Sequence, residues 1–291
     1  MNWRRMWNRV QKLARHHARH RLIASRLLWH SGLSRRIVFP VPGNVRIRFN
    51  PTSISAALWT DPFGRSDDVE FLTTILREGD VYVDCGANIG HLALVASRLV
   101  GTGGRVTAIE ASPRTFSFLL DNLAINGVPD ARVLQCALGE RDGGIVQISE
   151  RRDDDQNRVT DSGVPVPVRS LDSVLGPARV TLLKIDVEGY ELFVLRGARG
   201  VLQRTDVVYC ELSASNCGRY GYGPAEVERL LVDHGFCLLM PRVGRFERRA
   251  SVYDALGPEE IPTTGYNLIA VHERFLDELA RRAAQAGIGI S

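Results

Sequence analysis

Asp84, Gly86 and Gly90 stand in the run Val81-Tyr-Val-Asp-Cys-Gly-Ala-Asn-Ile-Gly90, where a short apolar stretch meets a glycine-punctuated turn and then a helical pattern. Glycines let the backbone turn sharply and lie directly against a ligand, and the helix that starts near Ile89 aims free N–H groups at it. Gly86, Ala87, Asn88 and Gly90 are therefore candidate ligand contacts, with Asp84 at the strand end able to meet a cationic or hydroxyl-bearing group. Glu110 follows twenty residues after Gly90, at the end of the next apolar run Arg105-Val-Thr-Ala-Ile109. An acid in that place hydrogen-bonds the two hydroxyls of a ribose, so an adenosine-type cofactor is expected.

The turn discriminates between two such cofactors. A dinucleotide site uses G-x-G-x-x-G because a pyrophosphate rests on the helix N-terminus. Here Asp84 stands where the first glycine belongs; an acid repels a pyrophosphate and attracts the ammonium of a methionine moiety. S-adenosyl-L-methionine is the expected cofactor, with an NAD-linked oxidoreductase as the alternative. A turn that merely closes strand onto helix, without a ligand, is the plain reading.

A second chemical segment is Leu182-Leu-Lys-Ile-Asp-Val-Glu-Gly-Tyr-Glu-Leu192. Methyl transfer from a sulfonium is an in-line displacement that needs alignment and a route for the hydroxyl proton. Lys184, Asp186 and Glu188, with Glu211 at the end of the following strand, are the candidates beside the methyl group. Asp186 is the first choice for contact with donor and acceptor. The chain keeps lysine only at positions 12 and 184 among 37 basic residues. A lysine can give up its proton where an arginine cannot, so Lys184 is either a base or the ion-pair partner of Asp186 or Glu188. Asp186 and Glu211 would end adjacent strands, an oxygen pair that suits magnesium. His91, at the helix start, can approach the cofactor's carboxylate or the substrate.

At these residues the chain resembles the FkbM family of S-adenosylmethionine-dependent methyltransferases. The matching pieces are Val83-Asp-Cys-Gly-Ala-Asn-Ile-Gly90, Glu110-Ala-Ser-Pro113 with Asn122 and Asn126-Gly127, Cys136-Ala-Leu-Gly139, and Lys184-Ile-Asp-Val-Glu-Gly-Tyr-Glu191 followed by Leu195-Arg-Gly-Ala198. The resemblance spans roughly Phe71 to Val271. It implies a Rossmann-like class I methyltransferase fold, with Ala111, Asn122 and Ala137 joining the cofactor-binding residues. It implies O-methylation of a hydroxyl on a glycan, a glycolipid or a secondary metabolite. A membrane-attached protein that keeps the cofactor but not the turnover is the non-enzymatic alternative. The Asn/Asp-Pro-Pro-aromatic turn of amino-methylating enzymes is absent where Asp186-Val-Glu-Gly stands, so a nucleic-acid substrate is not expected.

The elements that must position these groups read as an alternation of strand and helix. Strands are expected near Val81–Asp84, Arg105–Ile109, Ala131–Gln135, Val180–Ile185, Val207–Leu212, Phe236–Met240 and Asn267–Val271. Helices are expected near Ile89–Val100, Pro113–Asn126, Glu188–Gln203 and Pro224–His234. This is a mostly parallel seven-stranded α/β sheet covered by helices on both faces, with ligands beyond the carboxyl ends of the strands. The segment from Glu140 to Val164, with Arg151-Arg-Asp-Asp-Asp155 inside it, reads as a solvated loop able to fold over substrate.

Upstream, Ile37–Val41 and Val45–Phe49 read as a hairpin, and a helix from Asp67 to Arg77 precedes the first core strand. The chain then divides into an arm (1–36), the hairpin with its connecting segment (37–66) and a methyltransferase domain (67–291). The arm holds ten basic residues and no acid, whereas the remainder carries 27 basic against 33 acidic residues, so the net charge of +4 comes from the arm alone. Trp3, Met6, Val10 and Leu13 recur at helical spacing opposite arginines, which suits peripheral contact with an anionic membrane or packing on the enzyme's own body.

At 291 residues and 44% hydrophobic content the chain can bury one large core. It has no run of eighteen apolar residues and no secretory signal pattern. The five cysteines, Cys85, Cys136, Cys210, Cys217 and Cys237, are odd in number and unpaired in spacing. They fit a reduced, cytoplasmic protein, reaching at most the inner face of the membrane.

Overall fold

The computed structural model describes residues 21, 25, 29, 33–128, 131–149, 157–242, 244–252 and 265–291. Most of the basic arm and the Arg151–Asp155 stretch lie outside the described residues. Of the arm, Arg21 donates to the Trp59 carbonyl at 3.2 Å and its guanidinium lies 5.4 Å from the Trp59 ring centroid. Among the described residues no helix is long and apolar enough to cross a membrane.

The expected hairpin is formed by β1 (Val38–Val41) and β2 (Val45–Arg48), paired antiparallel. The central strands are β3 (Val81–Cys85), β4 (Arg105–Glu110) and β5 (Arg132–Gln135). A small second sheet follows: β6 (Ala137–Leu138), β7 (Ile145–Ile148), β8 (Val159–Thr160) and β9 (Val164–Arg169). The chain then returns to the main sheet with β10 (Val180–Ile185), β11 (Thr205–Leu212), β12 (Phe236–Arg242), β13 (Arg245–Arg249), β14 (Tyr266–His272) and β15 (Gly289–Ile290).

The main sheet has the order β15-β13-β12-β14-β11-β10-β3-β4-β5. Its parallel half, β5-β4-β3-β10-β11, reverses direction of growth between β3 and β10, and β14 inserts antiparallel between β11 and β12. The seven expected strands are all present; β13 and β15 extend the sheet to nine at the β12 edge. This is the Rossmann-like, mostly parallel α/β sheet that was expected. β10 is buried at all six positions, as a parallel strand covered on both faces must be. The period of two sorts the core: Tyr82, Leu182, Val207 and Ile269 pack in one apolar cluster, and Val83, Leu183, Val208 and Leu268 in the other.

Helix ends follow local chemistry. Pro113–Asn126 opens with the Ser112 hydroxyl accepting from the Thr115 N–H at 3.2 Å, carries Pro113 in its first turn and closes on left-handed Gly127, as helix ends favour. The expected helix Glu188–Gln203 is instead two short ones, Glu191–Arg196 and Arg199–Leu202. Glu188 and Gly189 have positive φ (56° and 100°), so the helix cannot start before Tyr190. The expected loop from Glu140 to Val164 also departs from expectation, since β7 and β8 pair within it.

The hairpin is part of the same body. Phe39, Val41, Ile47 and Phe49 share one cluster with the helix His91–Val100. Two asparagines at i, i+4 of the helix Pro113–Asn126 stitch it down. Asn126 accepts from the Arg46 N–H (2.9 Å) and donates to the Arg46 carbonyl (2.6 Å), as a neighbouring strand would. Asn122 accepts from the Arg48 N–H (2.9 Å) and donates to the Ile89 carbonyl (2.8 Å), which ties the hairpin to the glycine turn.

Candidate active site

The carboxyl ends of β3, β4, β10 and β11 open into a cleft of about 530 Å³. Gly86 is the tightest point of its wall. Its φ is +80°, and a Cβ there would lie 1.8 Å from the Asp186 carbonyl oxygen, so no larger residue fits. The Asp186 N–H in turn donates to the Cys85 carbonyl at 3.0 Å, locking the ends of β3 and β10 together. Glu110 is buried, and its two carboxylate oxygens accept from the N–H groups of Asn88 (Oε2, 2.9 Å) and Ser112 (Oε1, 2.9 Å). It thus holds the turn as well as facing the cleft.

The expected residues converge almost completely. Asp84, Gly86, Ala87, Asn88, Glu110, Ala111, Ala137, Lys184, Asp186, Glu188 and Glu211 all line the cleft. Two expected cofactor contacts do not. Gly90 caps the helix His91–Val100, and Asn122 is fully buried with both ends of its amide committed to backbone. Their part is to shape the turn from behind.

Lys184 is the buried centre of charge. Its Nζ lies 3.3 Å from Asp84 Oδ1 and 3.1 Å from Asp186 Oδ2, the second contact a hydrogen bond. Burial works to lower its pKa, but Asp186 and Asp84 outweigh it and the pKa is raised. Of the two readings of Lys184, this geometry fits the ion-pair partner. Asp84, expected to face an amine, is already engaged by one.

Glu211 ends β11 beside Asp186 at the end of β10. It is open to the water of the cleft, yet protein surrounds most of its carboxyl group. Desolvation first, and Asp186 second, push its pKa up to about 7. Glu188 sits on the positive-φ turn and accepts from Asn216 Nδ2 at 2.9 Å.

Arg65 and Glu191 were not singled out as site residues by the sequence, whereas His91 was. Arg65 reaches the cleft from the segment before the first core strand, bonded to Asp68 Oδ2 at 2.8 Å, while the Tyr209 hydroxyl donates to Asp68 Oδ1 at 2.9 Å. Glu191 is buried and accepts from Gly189 N–H (2.9 Å), Val187 N–H (3.3 Å) and Tyr222 O–H (3.1 Å), shaping the loop that presents Asp186 and Glu188. Burial pushes its pKa up to about 7. His91 lines the cleft at 3% exposure, and among the described residues neither ring nitrogen has a hydrogen-bond partner. Burial, and then Arg65, lower its pKa to about 4.

Magnesium finds no support at Asp186 and Glu211. Asp186 Oδ2 is bonded to the Lys184 ammonium, and among the described residues no group of three or more His, Cys, Asp or Glu side chains is arranged to hold a metal ion. All five cysteines are free, four of them buried.

Residues 84–238 match the family described as the methyltransferase FkbM domain. The hexuronic acid methyltransferase AglP of Haloferax volcanii is 29% identical over 208 residues, covering 69% of this chain and 82% of that protein. Methyltransferase 1 of Beauveria bassiana is 31% identical over 142 residues, 40% of this chain and 57% of that one. The crystal structure of a methyltransferase FkbM from Methylobacillus flagellatus aligns at 18% identity with a TM-score of 0.41, covering 75% of this chain and 54% of that one.

Proposed function

The chain belongs to the FkbM family of S-adenosylmethionine-dependent methyltransferases, and on that premise we propose that it methylates a hydroxyl oxygen of a glycan, glycolipid or secondary metabolite. The nicotinamide alternative gives way to the family match. A sugar hydroxyl is favoured among acceptors, since a relative that matches over 82% of its own length is named for a hexuronic acid.

One observation carries the reaction type: Glu211, with a pKa near 7, stands beside Asp186 at the carboxyl ends of adjacent strands, facing the glycine turn across one cleft. S-adenosylmethionine supplies an electrophilic methyl group on sulfur. Glu110 receives the ribose hydroxyls, and Gly86, Ala87 and Asn88 let the ligand lie against the backbone, with Ala111 and Ala137 on the neighbouring wall. Asp186, fixed by Lys184, orients the acceptor hydroxyl, and Glu211 takes its proton. A carboxylate with a pKa near the working pH is matched to that task. Lys184 keeps the buried carboxylates from carrying unbalanced negative charge.

The test is an assay of methyl transfer from labelled S-adenosylmethionine to a panel of sugars and glycosides, with the product's methyl located by NMR. A methyl ether is expected; a methyl on nitrogen or carbon would contradict it. Chelation with EDTA is expected to leave turnover unchanged, and loss restored by magnesium would return a metal to Asp186 and Glu211.

A further inference from the structure

The ionic partners in the cleft are nearly all matched. Lys184 meets Asp84 and Asp186, Arg65 meets Asp68, Glu110 is held by backbone N–H groups, and Glu188 accepts from Asn216. Two cations stand apart. Arg158 and Arg219 both line the cleft, and among the described residues neither guanidinium has a hydrogen bond or an ion pair.

They come from separate elements that the fold brings together. Arg158 immediately precedes β8 in the small sheet, and Arg219 follows the short helix Ala214–Gly218 after β11. The Tyr220 hydroxyl donates to the Val159 carbonyl at 2.9 Å, bridging the two elements one residue beyond each arginine. Both guanidinium groups lie within electrostatic reach of that hydroxyl. Tyr220 also stands edge-on to Tyr190, another cleft residue, at 5.2 Å. The bridge therefore joins the two segments that carry the arginines, both of which line the cleft.

We propose that Arg158 and Arg219 form an anion subsite for the acceptor, so that this enzyme methylates a hydroxyl on a molecule bearing a carboxylate or a phosphate. The guanidinium fork matches both groups in geometry and gains from charge-assisted hydrogen bonds. S-adenosylmethionine brings one carboxylate, on its methionine end, and His91 at the start of the helix His91–Val100 is the residue expected to approach it. That leaves the acceptor as the source of an anion at Arg158 and Arg219. This inference rests on the methyltransferase reading of the same cleft and names its substrate class.

Calorimetry with and without saturating S-adenosylhomocysteine tests it, using methyl glucuronide, glucose 6-phosphate and the neutral methyl glucoside as probes. At least one anionic probe should bind tenfold or more tightly than methyl glucoside, and which one does distinguishes carboxylate from phosphate. The Arg158→Gln, Arg219→Gln double variant should lose that preference while S-adenosylhomocysteine affinity stays within twofold. Neither guanidinium has a hydrogen bond or ion pair among the described residues, so the variant is expected to fold. Equal or absent binding of charged and neutral probes, or a preference that survives in the double variant, overturns the inference. So does a tenfold loss of S-adenosylhomocysteine affinity, which would assign the arginines to the cofactor. Failure of the wild type to bind S-adenosylhomocysteine would instead overturn the placement of the cofactor.

Discussion

Glu211 and His91 are the two side chains whose chemistry the cleft changes most usefully. A base must be deprotonated to act, so with Glu211 at a pKa of about 7 the rate should climb with pH through neutrality and level off above it. Glu211→Gln is expected to lower kcat by about 10²- to 10⁴-fold and to erase that limb. A variant with an unchanged pH profile would remove Glu211 from the proton transfer. His91 is buried with no hydrogen-bond partner among the described residues, and such a group costs about 1–3 kcal/mol. His91→Met should therefore raise the thermal midpoint of the free protein while weakening S-adenosylhomocysteine binding. A stabilised variant with full affinity would leave His91 outside the ligand site.

At the scale of elements, the loop Asp186–Tyr190 and the hairpin are held by polar groups that are buried for structural reasons. Glu191 has a folded pKa of about 7, above its ordinary carboxylate value, so the fold favours its protonated form. Stability from this group is present below about pH 4.5 and is lost as pH rises through 7. Relative to wild type, Glu191→Gln should gain stability between pH 5 and 8, by an amount on the order of 2–3 kcal/mol. A difference that does not change with pH would mean that Glu191 is ionised in the fold. Asn126→Ala leaves the Arg46 N–H and carbonyl without their partner, and should cost about 1–3 kcal/mol in chemical denaturation. A neutral result would show that apolar packing alone docks the hairpin.

These elements also show what the sequence made legible. The glycine turn, Glu110 and the Asp186 segment were readable because each is a local pattern in which strand, turn and side chain are contiguous. Asn122, which the family resemblance sets among the cofactor contacts, has its amide taken by the Arg48 N–H of the hairpin and the Ile89 carbonyl of the glycine turn, which only the packed fold reveals. The break before Tyr190 was not legible because a glutamate does not announce a positive φ, and the close approach that requires a glycine at 189, where a Cβ would lie 2.5 Å from the Asn216 carbonyl oxygen, is a tertiary contact. Arg65, Arg158 and Arg219 lie in segments without periodicity, so only tertiary folding carries them to the cleft.

Across the whole molecule, alternation of strand and helix was sufficient to expect seven strands and a site at their carboxyl ends. It was insufficient for β13 and β15, whose residues Arg245–Arg249 and Gly289–Ile290 lack an apolar run and gain their place from pairing at the β12 edge. On the proposed reading, this end of the sheet holds S-adenosylmethionine with its ribose on Glu110. Calorimetric titration of S-adenosylhomocysteine into wild type and Glu110→Ala tests it most directly, with NAD as the control ligand. Wild type should bind one S-adenosylhomocysteine and no NAD, and Glu110→Ala should lose about 1.5–3 kcal/mol, roughly ten- to hundredfold in affinity. Equal affinity in the variant would take the ribose away from Glu110, and binding of NAD in place of S-adenosylhomocysteine would overturn the cofactor assignment itself.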